Sequence, residues 1–169
     1  MSEQSPAAFL LDTNVFIEAH RRYYAMDLCP GFWECLEHFC QEVRLFSIDR
    51  VRDEISEGDT LDEWVMRAPD ELFVSTADEE VAGVFAEMMG WVQTNGRFLP
   101  PAKDEFARAA DGWLVAYARV HGLVVVTHEV YDPNIRKKVP IPNVCRQFDV
   151  LHRDTFSMLR SLEVRFGWN

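Results

Sequence analysis

Cysteine is scarce in this sequence: four residues in 169, with no Cys-x-x-Cys pair among them. That excludes a disulfide framework and a zinc ribbon. Cys29, Cys35, Cys40 and Cys145 read as buried, reduced thiols, and the Cys35, His38, Cys40 group lies on an apolar, helix-like segment where such residues fill a core. No run approaches about 18 apolar residues, so no membrane span is expected. The opening Met1-Ser2-Glu3-Gln4 has neither a basic region nor a long apolar stretch, which argues against a secretory signal and for a cytoplasmic protein. Positive charge is also short, with 17 Lys and Arg against 28 Asp and Glu and a net charge of −11. A general nucleic-acid coat needs a basic face to displace counterions and is excluded; an acidic pocket that holds divalent ions is not, because the metal supplies the positive charge. No Gly-x-Gly-x-x-Gly follows the first apolar segment, which argues against a dinucleotide site.

What is present is a 48% hydrophobic chain, enough for one domain over residues 1–169 with a sizeable core. Neither an internal repeat nor a low-complexity linker divides it. Residues 7–11 read as a buried strand and 13–22 as a helix. After a break over 23–31, Phe32, Leu36, Phe39 and Val43 recur at helical spacing. A strand over 44–46 ends at Ser47, a suitable cap for a helix over 49–57. A helix over 61–67, a strand over 72–75 and a helix through Val81, Val84, Phe85, Met88 and Val92 follow. Asn95-Gly96 and Pro100-Pro101 mark a loop, then one long helix runs over 104–121 to Gly122. Residues 123–127 form the clearest buried strand, 131–142 are irregular, and a strand near 147–151 and a helix over 155–165 close the chain. This alternation predicts an α/β sandwich on a mainly parallel sheet of four to five strands.

One acid stands inside the first apolar run, in Leu10-Leu11-Asp12-Thr13-Asn14-Val15. A carboxylate entering a core costs several kcal/mol unless it is paired, hydrogen-bonded or metal-bound. Capping of the following helix by Asp12, Thr13 or Asn14 is the simplest explanation of that segment alone. Other acids recur at comparable places. Glu54 lies roughly 60° from Val51 around its helix, on the margin of the buried face, whereas Asp53 points away. Asp111 is flanked at helical spacing by Ala107, Leu114, Val115 and Ala118, with a pairing to Arg108 as the competing account. Glu129 follows the strand at 123–127 just past its carboxyl end, as Asp12 follows the first, and that is where open α/β sheets build their sites. Asp132 is its alternative. Four converging carboxylates repel one another, a conflict that a hard divalent cation resolves, and an all-oxygen set suits Mg²⁺ or Mn²⁺.

The pattern resembles the PIN-domain nucleases. Leu11-Asp12-Thr13-Asn14 resembles their opening acid motif, Glu54 matches the second acid, and Asp111-Gly112-Trp113-Leu114-Val115-Ala116-Tyr117-Ala118 is similar to their third. Val125-Val126-Thr127-His128-Glu129 resembles a strand followed by Thr-x-Asp, with glutamate where aspartate is usual. The resemblance implies a PIN-like three-layer α/β/α fold and a Mg²⁺- or Mn²⁺-dependent ribonuclease with Asp12, Glu54, Asp111 and Glu129 as catalytic and metal-binding residues. It also implies a toxin of the VapC type, with RNA as substrate, a cognate antitoxin as partner and a homodimer as candidate assembly. The segments over 21–30 and 131–143 and the Thr127-His128-Glu129 variant set the chain apart from a minimal domain of this kind.

Asn14 and Thr127 beside these acids are candidate substrate contacts. Arg21 and Arg22, followed by Tyr23 and Tyr24, combine charge with stacking faces suited to single-stranded bases. Arg136, Lys137 and Lys138 form the densest positive run and follow Glu129 closely. A haloacid-dehalogenase-like phosphatase also places an acid after its first strand, but Asn14 stands where its general acid belongs. A degenerate PIN-like module that binds without cutting, and a nuclease acting on DNA, are the alternatives to RNA cleavage.

Overall fold

Three consecutive valines, 124 to 126, and the run Phe9-Leu10-Leu11 are buried on both sides, which suits the middle of a parallel sheet covered by helices. They pair as its two inner strands in the computed structural model, which describes residues 6–55 and 58–168. In chain order the elements are β1 (Phe9–Leu11), α1 (Thr13–Glu18), α2 (Pro30–Gln41), β2 (Leu45–Ile48), α3 (Asp49–Glu54), α4 (Thr60–Arg67), β3 (Phe73–Val74) and α5 (Glu79–Thr94). Then come α6 (Pro100–Arg108), α7 (Asp111–His121), β4 (Val124–Val126), α8 (Ile141–Gln147), β5 (His152–Arg153) and α9 (Thr155–Ser161). All five strands are parallel, in the order β3-β2-β1-β4-β5. The expected α/β fold with a mainly parallel sheet is therefore what the chain adopts. Because β1 sits between β2 and β4, the chain winds outward in both directions from it, and the crevice beyond the ends of β1 and β4 is the switch point at which such sheets place ligands.

Local chemistry accounts for most element boundaries. Asp78 caps α5 by accepting the N–H groups of Glu80 and Val81 at 2.9 and 3.1 Å, and Asp154 caps α9 through Ser157 at 2.7 Å. Gly122 ends α7 in the left-handed conformation, φ 66°, that favours glycine. The helix expected over 13–22 continues past α1 as a π-helical turn, Ala19–Tyr23.

Several boundaries differ from those the sequence suggests. Ser47 is not a cap but a buried strand residue, donating its hydroxyl to the Leu11 carbonyl at 2.7 Å and tying β2 to β1. The end of the helix expected over 49–57 falls partly outside the described residues. Pro30, Pro100 and Pro142 stand in first turns of helices rather than in breaks, where a missing N–H does no harm. The strand expected near 147–151 lies further on, at His152–Arg153, because α8 takes up Gln147.

The largest difference is that the helix expected over 104–121 is two helices, α6 and α7, separated at Ala109, whose backbone is extended (φ −76°, ψ 164°). Asp111 therefore opens a helix instead of lying inside one. Gly112 next to it permits a close approach: a Cβ there would lie 2.9 Å from the Phe85 ring and 3.1 Å from that of Phe106. No helix among the described residues is long and apolar enough to cross a membrane.

Candidate active site

Strand register brings the first two polar residues together. Leu11 pairs with Val126, so Asp12 and Thr127 emerge side by side at the ends of β1 and β4. The Thr127 hydroxyl donates to Asp12 Oδ2 at 3.1 Å, and its oxygen accepts the Glu129 N–H at 3.1 Å. Asp12 occupies the N-cap position of α1, yet its side chain makes no capping bond. Only 2% exposed, it is a buried carboxylate rather than a cap. Burial pushes its pKa from 3.8 up to about 7, the negative charge of Glu129 adds to that, and the Thr127 hydrogen bond opposes it.

Asp111 comes to the same place from the start of α7. Burial, followed by the charges of Asp12, Glu129 and Glu54, lifts it from 3.8 to about 8, with Lys138 pulling the other way. The pairing with Arg108 is not formed: Arg108 Nε donates instead to the Asp104 carbonyl at 3.2 Å. Among the described residues nothing donates a hydrogen bond to the Asp111 carboxylate.

Glu54 is exposed, but both of its oxygens are engaged. Thr13 Oγ1 donates to one at 2.7 Å and the Ala110 N–H to the other at 2.7 Å, so this one side chain ties the end of α3 to the starts of α1 and α7. It also supplies the partner that lets the chain break at Ala109 and Ala110. Glu129, 13% exposed at its side chain, is engaged likewise: the Lys138 ammonium donates to Oε1 and the Ile141 N–H, at the start of α8, to Oε2 at 2.7 Å. Burial alone would lower the Lys138 pKa, but the hydrogen bond and charge of Glu129 outweigh it and hold the ammonium form.

These four acids line one open pocket of about 220 Å³, joined on its wall by Asn14, Glu105 and Lys138. Glu129 rather than Asp132 is the acid at this place. Asp132 is folded back onto Asn143, accepting from Nδ2 through its carbonyl at 2.7 Å, and does not line the pocket. Other sequence candidates stand apart. Thr127 is buried behind Asp12. Arg136 has its Nε 3.4 Å from the Arg97 carbonyl, Lys137 is exposed, and Arg21 and Arg22 lie beyond α1, with Arg22 3.4 Å from Glu18. None of these reaches the pocket wall. Missed from the sequence were Thr13, which holds Glu54, and Glu105 on α6. An Asp-Thr pair after a strand was a usable signal for the first, whereas nothing marked α6 as a separate helix.

Among the described residues no group of three or more His, Cys, Asp or Glu is arranged to hold a metal ion. Glu54 and Glu129 each accept two hydrogen bonds, Asp12 accepts one from Thr127, and none from a side chain reaches Asp111 among the described residues. The buried Asp12 and the half-buried Asp111 form a donor set that fits an ion such as Mg²⁺ or Mn²⁺, which keeps several waters and needs only one or two protein carboxylates.

The same fold is seen in two solved structures. The crystal structure of FitAcB from Neisseria gonorrhoeae is 18% identical, covering 85% of this chain and 95% of that one, with a TM-score of 0.51. The structure of FitAB bound to an IR36 DNA fragment is also 18% identical, covering 86% and 94%, with a TM-score of 0.50. At that identity the likeness is one of fold. No curated protein matches the chain at the sequence level. The profile of the domain of unknown function DUF4411 matches residues 9–166, and the chain accordingly belongs to the DUF4411 family.

Proposed function

We propose that this chain is a PIN-like, metal-dependent endoribonuclease of the VapC type, the toxin of a toxin–antitoxin pair. The observation that carries the reading is that the buried Asp12 and the half-buried Asp111, far apart in sequence, line one pocket at the sheet's switch point. Such a site is unfavourable without a cation and suits one well. Asp12 and Asp111 would hold Mg²⁺ or Mn²⁺ directly, with Glu54 and Glu129 completing the acidic wall. When bound, the ion supplies the Lewis acidity that phosphodiester hydrolysis needs.

The chain's own residues do the positioning. Thr127 fixes the orientation of Asp12, and Glu54 locks the helix starts that carry Thr13 and Asp111. Asn14, exposed at the rim, offers its amide to a phosphate oxygen. Arg136 and Lys137 on the loop after β4, with Arg21 and Arg22 after α1, would track the backbone of a single strand. The likeness to FitAcB and FitAB supports an antitoxin as protein partner, and a homodimer is the proposed assembly.

A second reading, a module that binds its partner without cutting, is favoured by the lack of a three-carboxylate metal group among the described residues. Cleavage assays separate the two. Single-stranded RNA is expected to be cut with Mg²⁺ or Mn²⁺, protected by chelator and by D111N whose circular dichroism is unchanged, and expression of the parent but not of D111N is expected to arrest growth. Full cleavage by D111N refutes the metal-site reading. No cleavage of RNA by the folded parent favours the binding module, and cleavage of single-stranded DNA alone moves the substrate to DNA.

A further inference from the structure

Lys138 is the single cation on the wall of the acidic pocket among the described residues. It differs from its neighbour Lys137, which is exposed. Lys138 is held at both ends. Its ammonium is bonded to Glu129, and the backbone after it is anchored by Val139 and Ile141, which are 2% and 0% exposed. Glu129 is in turn held by the Ile141 N–H, so carboxylate and ammonium are set in place by the same start of α8. An ammonium has three N–H donors, and Glu129 takes one.

We infer that Lys138, set by Glu129, is the built-in second cation of this pocket: the site takes one divalent ion, at Asp12 and Asp111, and Lys138 presents the other positive charge to a phosphodiester. The inference rests on the nuclease reading. Two-ion phosphodiesterases hold their metals about 3.5–4 Å apart between shared ligands. Glu129 already has a cation, the Lys138 ammonium, on one oxygen and the Ile141 N–H on the other, so an ion placed on it would stand against the lysine's charge. A second divalent ion would also face Lys138 directly. Glu129 is thus a positioning residue that acts through Lys138, its two oxygens reaching the lysine and the Ile141 N–H at once.

Calorimetric titration of the full chain with Mn²⁺ alone tests this. The parent is expected to bind one ion. In K138M the freed Glu129 joins the other acids and a second ion binds. In the charge-neutral double variant E129Q/K138M one ion binds again, with Kd within about threefold of the parent, because no metal ligand has been lost. Two ions in the parent, one ion in a folded K138M, or a loss of tenfold or more in the folded double variant overturns the assignment. If K138M does not fold, the parent and the double variant still decide it. Absence of any Mn²⁺ binding by the parent is a separate result: it removes the nuclease reading and the inference with it.

Discussion

Replacing Asp12 by asparagine removes a charge that the fold holds against its own preference, so the metal-free protein is expected to gain stability by the same change that removes a proposed metal ligand. The Asp12 pKa is raised from 3.8 to about 7, chiefly by burial. The native state therefore keeps a proton that the unfolded chain releases, and stability falls as pH rises between about 4 and 7; below that window both states are neutral and the penalty is absent. At about 1.4 kcal/mol per pH unit the penalty is about 2 kcal/mol near pH 5 and about 4 kcal/mol near pH 8. Asparagine has nearly the same volume, and its carbonyl oxygen can still accept from Thr127, so little else changes. Urea unfolding with EDTA should show D12N more stable than the parent at both pH values, with the advantage widening by about 2 kcal/mol from pH 5 to pH 8. In a thermal scan near pH 8 the gain corresponds to roughly 10 °C for a chain of this size. Mn²⁺ at about 100 times its Kd should narrow the gap by about 3 kcal/mol, since only the parent gains from it. An advantage that does not change with pH, or a D12N protein less stable than the parent near pH 8, refutes the argument.

Two further outcomes follow from the same geometry. Mn²⁺ affinity is expected to weaken as pH falls below the Asp111 and Asp12 pKa values of about 8 and about 7, because ligands must lose their protons, and by about tenfold or more between pH 7 and 6; equal affinities in calorimetry would contradict it. G112A is expected to lose about 1–3 kcal/mol in urea unfolding, since its new methyl would press into the Phe85 and Phe106 rings; a neutral result would mean that α5 and α6 can shift without penalty.

The parts of this molecule that could be read from sequence are those whose cause is local. An acid after a buried apolar run gave the position of Asp12, and the valine strand gave β4 and, one step beyond it, Thr127 and Glu129. What could not be read has its cause elsewhere in the chain. Nothing between residues 104 and 121 announces a break at Ala109; the break is completed by Glu54, 56 residues before Ala110. Ser47 has the chemistry of a cap, and only the neighbouring strand's carbonyl makes it a strand residue. The basic run at 136 to 138 looked uniform, yet burial of Val139 and Ile141 turns Lys138 alone into the pocket.

The sheet order sets when this pocket can exist during synthesis. Thr127 steadies Asp12 across a separation of 115 residues, and Asp111 and Lys138 also belong to the later part of the chain. A nascent fragment that has not yet emitted β4 carries Asp12 and Glu54 but has no opposite wall for them. Non-local parallel pairing is also slow to form, so the last strands to leave the ribosome complete the centre. A chain that stops short of β4 therefore lacks the pocket altogether, and whatever the pocket does is a property of the finished chain.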